Sequence, residues 1–180
     1  MSIWGNPVWL RKSAGGGRLY LIQDGKVNTS DWTVNLIAFG SSAGGGETTV
    51  DNVDYYRIYN ADATTSRNRT NCYFTPKQSF PVDYAYLIIN ARSRGYDDRP
   101  FGLMSNYGAS GSDPTYFKRV NMKDGNTTVL SDLTEFSVSL SDVTSGEYWF
   151  GFSTKEVSFG GIRTGEVLVR DFYLTNEVPN

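Results

Sequence analysis

Histidine is absent from this chain of 180 residues. With it go the usual general base at neutral pH, the Ser–His and Cys–His nucleophile pairs, and the commonest ligand of zinc, copper and iron. Most hydrolase mechanisms are thereby excluded. Cysteine occurs once, as Cys72, so no internal disulfide can form and no thiolate zinc site can be assembled. The fold must stand on packing alone. An excess of either charge is lacking too: 17 Lys and Arg face 19 Asp and Glu. No block of like charge interrupts that balance, so a phosphate-neutralising surface is not indicated and nucleic acid is not an expected partner. No apolar run approaches the length of a bilayer span, and membrane insertion is not expected. The stretch from Met1 to Lys12 lacks the charged start and apolar centre of a secretion signal, which implies synthesis in the cytosol without export by that route.

What is present points to one β-rich core. Hydrophobic residues make up 39% of the chain and aromatics 14%, enough for one domain and too little length for two. No window of a dozen residues keeps an i, i+3, i+4, i+7 apolar stripe. Period-2 alternation recurs instead, punctuated by Gly, Asn, Asp and Ser, as in a two-sheet antiparallel sandwich or a barrel. In Thr134 to Leu140, Phe136, Val138 and Leu140 point one way while Glu135, Ser137 and Ser139 point the other. Tyr84 to Ala91 is almost continuously apolar and reads as a strand in the middle of its sheet.

Leu19 to Gln23, the pair Asp24-Gly25, and Lys26-Val27 form a hairpin signature. Further strands are expected at Val34 to Phe39, Val53 to Tyr59, Arg69 to Phe74, Arg99 to Met104, Tyr116 to Val120, Glu147 to Ser153 and Glu166 to Leu174. In the last of these the alternation slips at Arg170 and Asp171, as a bulge would make it. Glycine tracts at Gly15 to Gly17 and Gly44 to Gly46 read as a joint and a mobile loop respectively. The expected organisation is an N-terminal arm with its joint at 1–16, a sandwich at 17–176 and a short tail at 177–180.

Three stretches carry a resemblance: Gly17-Arg-Leu-Tyr-Leu-Ile-Gln-Asp-Gly25 with Asp31-Trp32; Phe80-Pro-Val-Asp-Tyr-Ala-Tyr-Leu-Ile-Ile89; and Phe136 to Phe152, which ends in Glu-Tyr-Trp-Phe-Gly-Phe. Together with a closing strand like Val167 to Leu174, they make the chain resemble galactose-binding-like jelly-roll domains in structural proteins of bacteriophages and prophages of Gram-positive gut bacteria. The resemblance spans most of Gly17 to Leu174 in short segments. It implies an all-β jelly roll on a tail or other appendage of a virion, where related domains bind cell-surface sugars or build the particle. Other virion proteins, further copies of the chain and host glycans are the partners it implies.

Candidate binding residues gather in Arg92-Ser-Arg-Gly-Tyr-Asp-Asp-Arg99, where Arg94, Tyr96, Asp97, Asp98 and Arg99 could place an aromatic face and charged groups on a sugar, with Tyr107 one strand further on. The alternative is a set of solvated loop charges in weak local pairs. Trp32 is a candidate stacking platform at a loop tip, or a plug for the end of the core. Asp51 and Asp54 flank a strand start but fall short of the oxygen ligands calcium takes, so no metal or other cofactor is expected. Asp97 and Asp98 are adjacent and would diverge, unlike a glycosidase pair facing one bond. The sequons at Asn28, Asn68 and Asn126 carry no weight in a bacterial or phage setting. Trp4 and Trp9 in the arm are candidate anchors for subunit docking, unless the arm folds back on its own sandwich. The leading expectation is a non-enzymatic virion protein displaying its jelly roll. The alternatives are a free carbohydrate-binding module and an architectural capsid decoration or head-fibre unit.

Overall fold

A computed structural model of the chain describes residues 9–10, 17–39, 43–60, 69–76, 81–82, 84–95, 99–108, 113–122, 129–143, 148–154 and 165–179. Among them there are strands and no helix. The strands are β1 (Trp9–Leu10), β2 (Arg18–Gln23), β3 (Lys26–Val27), β4 (Trp32–Phe39), β5 (Ala43–Val50), β6 (Val53–Asn60), β7 (Arg69–Pro76), β8 (Pro81–Val82), β9 (Tyr86–Arg94), β10 (Pro100–Asn106), β11 (Thr115–Asn121), β12 (Thr134–Ser139), β13 (Trp149–Thr154) and β14 (Gly165–Thr175).

All but β1 and β8 form two antiparallel sheets, a sandwich as the alternation predicts. One sheet has the order β11-β10-β13-β7-β4; the other runs β12-β9-β14-β2-β3, with β6 also pairing with β14 and carrying β5 outward. β14 is the spine of the larger sheet. Along one edge it pairs with the whole of β9, and along the other with β6 for its first half and β2 for its second. The nearly unbroken apolar run of β9 is explained by its position between β12 and β14.

Residues of both inner faces fill the core, among them Ile58, Leu87, Ile89, Val167, Val169 and Phe172 from the larger sheet and Cys72, Phe74, Phe101, Leu103, Phe150 and Phe152 from the smaller. Phe172 meets Phe74, Phe101 and Phe152, with ring centroids 5.6, 6.5 and 5.6 Å away. It therefore ties the two layers together. Each large side chain taken wholly out of water stabilises the fold by about 1.5–3 kcal/mol.

The predicted hairpin is present, with Asp24 at φ 50° and Gly25 at φ 75°. These left-handed values match a tight turn to the twist of its strands. At Gly25 a Cβ would come within 2.4 Å of the Asp54 carbonyl carbon, and its N–H donates to the Arg170 carbonyl at 2.7 Å. The acceptor lies at the predicted bulge, where the β9–β14 register shifts between Val169 and Asp171.

The second glycine tract corrects the sequence reading. Gly44 to Gly46 lie within β5, paired with Tyr59, Ile58 and Arg57 of β6, rather than in a loop. A Cβ on Gly45 would stand 2.5 Å from the Arg57 carbonyl oxygen and 3.1 Å from the Leu36 side chain. The missing side chain is what lets these strands approach, a use of glycine that mimics a loop signal in sequence. The parallel pairing of Trp9–Leu10 with Pro81–Val82 was not predicted either.

Candidate functional site

The outer face of the smaller sheet carries a row of residues in register: Gly102 on β10, Gly151 on β13, Tyr73 on β7 and Asn35 on β4. Their sequence neighbours Leu103, Phe150, Phe152, Cys72 and Phe74 point into the core, so strand alternation turns this row outward. The two glycines leave a trough. The Met104 side chain lies across it, close enough that a Cβ on Gly151 would stand 2.7 Å from its methyl carbon.

Beyond β10 the chain turns back over this face. Gly108, at φ 76°, donates its N–H to the Asn106 side-chain oxygen at 2.8 Å, and the Asn71 side-chain amide donates to the Tyr107 carbonyl at 3.3 Å. Tyr107 thereby comes to rest flat on Tyr73, with centroids 4.4 Å apart and planes 16° from parallel. Trp149 stands edge-on to Tyr107 at 5.1 Å. All three rings are half-buried, so each keeps surface toward solvent. Asn35 donates to the Thr75 hydroxyl at 3.2 Å beside them. The carbonyl oxygen of the Asn71 side chain is buried without a hydrogen-bond partner among the described residues.

Burial, reinforced by Tyr107, raises the Tyr73 hydroxyl above its ordinary pKa of 10.0, so at neutral pH it stays protonated and can both donate and accept. Asn35, Asn71, Tyr73, Thr75, Tyr107 and Trp149 include no carboxylate. This arrangement can stack on an apolar ring face and hydrogen-bond to hydroxyls; by itself it cannot move a proton between an acid and a base.

The sequence candidates are dispersed. Trp32 is 0% exposed and meets Phe150 edge-on at 6.0 Å, so it is part of the core and presents no stacking face, which corrects its assignment as a binding residue. Arg99 is 1% exposed, with its backbone N–H on the Asn121 side-chain oxygen at 2.8 Å; buried at the start of β10, it is neither a solvated loop charge nor placed to touch a surface ligand. Arg94 lies on the outer face of the larger sheet, where it pairs with Glu166, and is thus on the opposite side of the sandwich from Tyr107. Tyr96, Asp97, Asp98 and Trp4 lie outside the described residues. Trp9 is placed by its backbone pairing with Pro81. Asp51 bonds Arg92 at 3.3 Å and Asp54 accepts from the Thr49 hydroxyl at 2.7 Å. Among the described residues no three Asp, Glu, Cys or His gather as a metal site would require.

Sequence reasoning passed over Tyr73 and Trp149, although the signal was there. Tyr73 sits between inward-facing Cys72 and Phe74, and alternation alone sets it outward. A pocket of about 120 Å³ on the larger sheet is lined by Arg18, Glu135, Tyr173 and Glu177. Its polar groups answer one another, Arg18 bonding Glu177 at 3.1 Å and lying 4.9 Å over the Tyr173 ring.

No protein-family model matches the chain, and no curated protein matches it. Solved structures do. The carbohydrate-binding module CtCBM11 aligns over 93% of this chain and 99% of its own at 8% identity, with a TM-score of 0.45. The K1 cleaved adhesin domain of Lys-gingipain from Porphyromonas gingivalis W83 aligns over 91% of this chain and 100% of its own at 11% identity, with a TM-score of 0.50. At such identity the likeness to the adhesin domain establishes the fold: the chain is a β-sandwich of the kind that domain adopts.

Proposed function

We propose that this sandwich is a non-catalytic glycan-binding domain, and that a neutral sugar chain lies on the face formed by Tyr73, Tyr107 and Trp149. The observation that carries this reading is the Tyr73–Tyr107 stack at 4.4 Å, half-buried and fixed from below by the Asn71 bond to the Tyr107 carbonyl. Rings already packed against each other lose little freedom when a ligand settles on them, so the ordering cost of binding is small. The amide of Asn35 and the hydroxyls of Thr75 and Tyr73 supply the directional contacts that sugar hydroxyls need. The shared fold with a bacterial adhesin domain agrees with a role in surface attachment.

The absence of histidine and of a carboxylate among the residues named on this face supports attachment without turnover. A polysaccharide array probed with the tagged chain, followed by assay of released reducing ends, tests the reading. Retention on at least one neutral glycan without release is expected. Retention on none, or release of reducing ends, overturns it.

A finer placement, on the tail or another appendage of a phage particle in several copies, is supported by the resemblance of the three stretches opening at Gly17, Phe80 and Phe136. Copurification of the chain with virions, and tail or capsid genes beside its own, are the expected findings. A secreted monomer would contradict them.

A further inference from the structure

The outer face of the larger sheet holds a second constellation, unrelated to the aromatic stack. Glu166 on β14 stands in register between Tyr59 on β6 and Arg94 on β9, and Leu168, two residues on, stands between Arg57 and Arg92. Leu168 faces outward and is nonetheless buried, as expected where arginine stems lie along an apolar side chain and carry their heads to solvent.

The Glu166 side chain is only 8% exposed, with one carboxylate oxygen 2.5 Å from Arg57 Nε and the other 2.5 Å from Arg94 Nε. A buried carboxylate requires neutralisation. One guanidinium would supply it; here there are two, which leaves a surplus positive charge on this pair of strands among the described residues. Arg92 does not add to that surplus, because it is tied to the Ser131 carbonyl at 2.9 Å and to Asp51 at 3.3 Å.

The shortest contact of each guanidinium to Glu166 is through Nε, an ion pair that lacks hydrogen-bond geometry. The Arg57 and Arg94 side chains are 36% and 39% exposed, and the Arg57 guanidinium lies 4.3 Å over the Tyr59 ring, which fixes its plane. Two guanidiniums held by one carboxylate and partly open to solvent carry the planar forks of N–H donors that suit an oxyanion.

We propose that Arg57 and Arg94, clamped by Glu166, bind the carboxylate or sulfate of an acidic sugar on this face. The domain would then hold neutral chains on one side and acidic ones on the other. The ligand's being a sugar rests on the glycan reading above, but the two faces fail separately because they share no residue.

The test titrates the full chain with galacturonic acid trimer, a sulfated galactose trimer and neutral galactose trimer, at low and at physiological salt. The parent is expected to bind at least one acidic trimer, more weakly as salt rises. Arg94→Gln is expected to weaken that binding at least about tenfold, in line with the loss of a charge-assisted contact. Arg94→Lys is expected not to restore it, because a point charge lacks the planar fork. Retention of the carboxylate or of the sulfate trimer alone names the anion. Should Arg94→Gln prove unfolded by thermal melt, Arg57→Gln replaces it with the same expectation. Tyr107→Ala, on the opposite face, is expected to leave acidic binding unchanged while reducing neutral binding. Equal acidic affinity in the parent and Arg94→Gln, binding of neither acidic trimer, or parallel loss of acidic binding in Tyr107→Ala overturns the proposal.

Discussion

Tyr56 on β6 of one sheet and Cys72 on β7 of the other are buried together in the core of the sandwich, 5% and 0% exposed. Burial withholds water from both charged forms, so the thiol and the phenol are each pushed well above their ordinary values of 9.0 and 10.0. A raised value means that the folded chain holds these protons more tightly than the unfolded one. The corresponding stability is complete below the unfolded thiol value and falls as pH rises past it.

Melting temperature is therefore expected to hold steady from neutral pH to pH 9 and to drop above it, more steeply once the ordinary tyrosine value is passed, since Tyr116 is also pushed up by burial. Cys72→Ala should flatten the first part of that fall. A profile unchanged by the substitution would contradict the assignment. The same burial makes Cys72 inert, and a thiol reagent should modify it only in denaturant.

Phe172 bridges the layers through Phe74, Phe101 and Phe152. Phe172→Ala is expected to cost about 3–5 kcal/mol in urea unfolding, the range for a large aromatic deleted from a packed core. A loss below about 1 kcal/mol would place the core elsewhere.

Gly102 combines φ 153° with a neighbour that admits no side chain, since a Cβ there would stand 2.0 Å from the Lys118 carbonyl oxygen. Gly102→Ala must strain the backbone and push β11 away, so a loss of more than about 1 kcal/mol is expected. An unchanged unfolding midpoint would show that β10 and β11 are not packed as described.

The strands were legible because their side chains alternate. Val138 against Ser137, or Val167 and Val169 against Glu166 and Leu168, divide by face wherever one side meets the core. The turn at Asp24-Gly25 and the slip at Arg170-Asp171 were legible for the same local reason. Strand β5 was hidden because its glycines are selected by the approach of Leu36 and Tyr59, distant in sequence. The site was harder still. Tyr107 was singled out, yet its partners Tyr73 and Trp149 come from two other strands, and only sheet order brings them together. Arg94 and Arg99 sit in one polar run five residues apart in sequence, but the end of β9 sets the first on a surface and the start of β10 sets the second inside. Charge in a sequence does not reveal which side of a sheet will receive it.

The central claim, that a sugar chain rests on the Tyr73–Tyr107 stack, is tested most directly by calorimetric titration of the parent and of Tyr107→Ala with an oligosaccharide of the neutral glycan the array retains. The parent is expected to bind, and Tyr107→Ala to bind at least about tenfold more weakly, the effect of losing about 1.4 kcal/mol. Its melting temperature should stay near the parent's, since Tyr107 lies past the end of β10 and outside the hydrophobic core. Equal affinity in the two proteins would contradict the account.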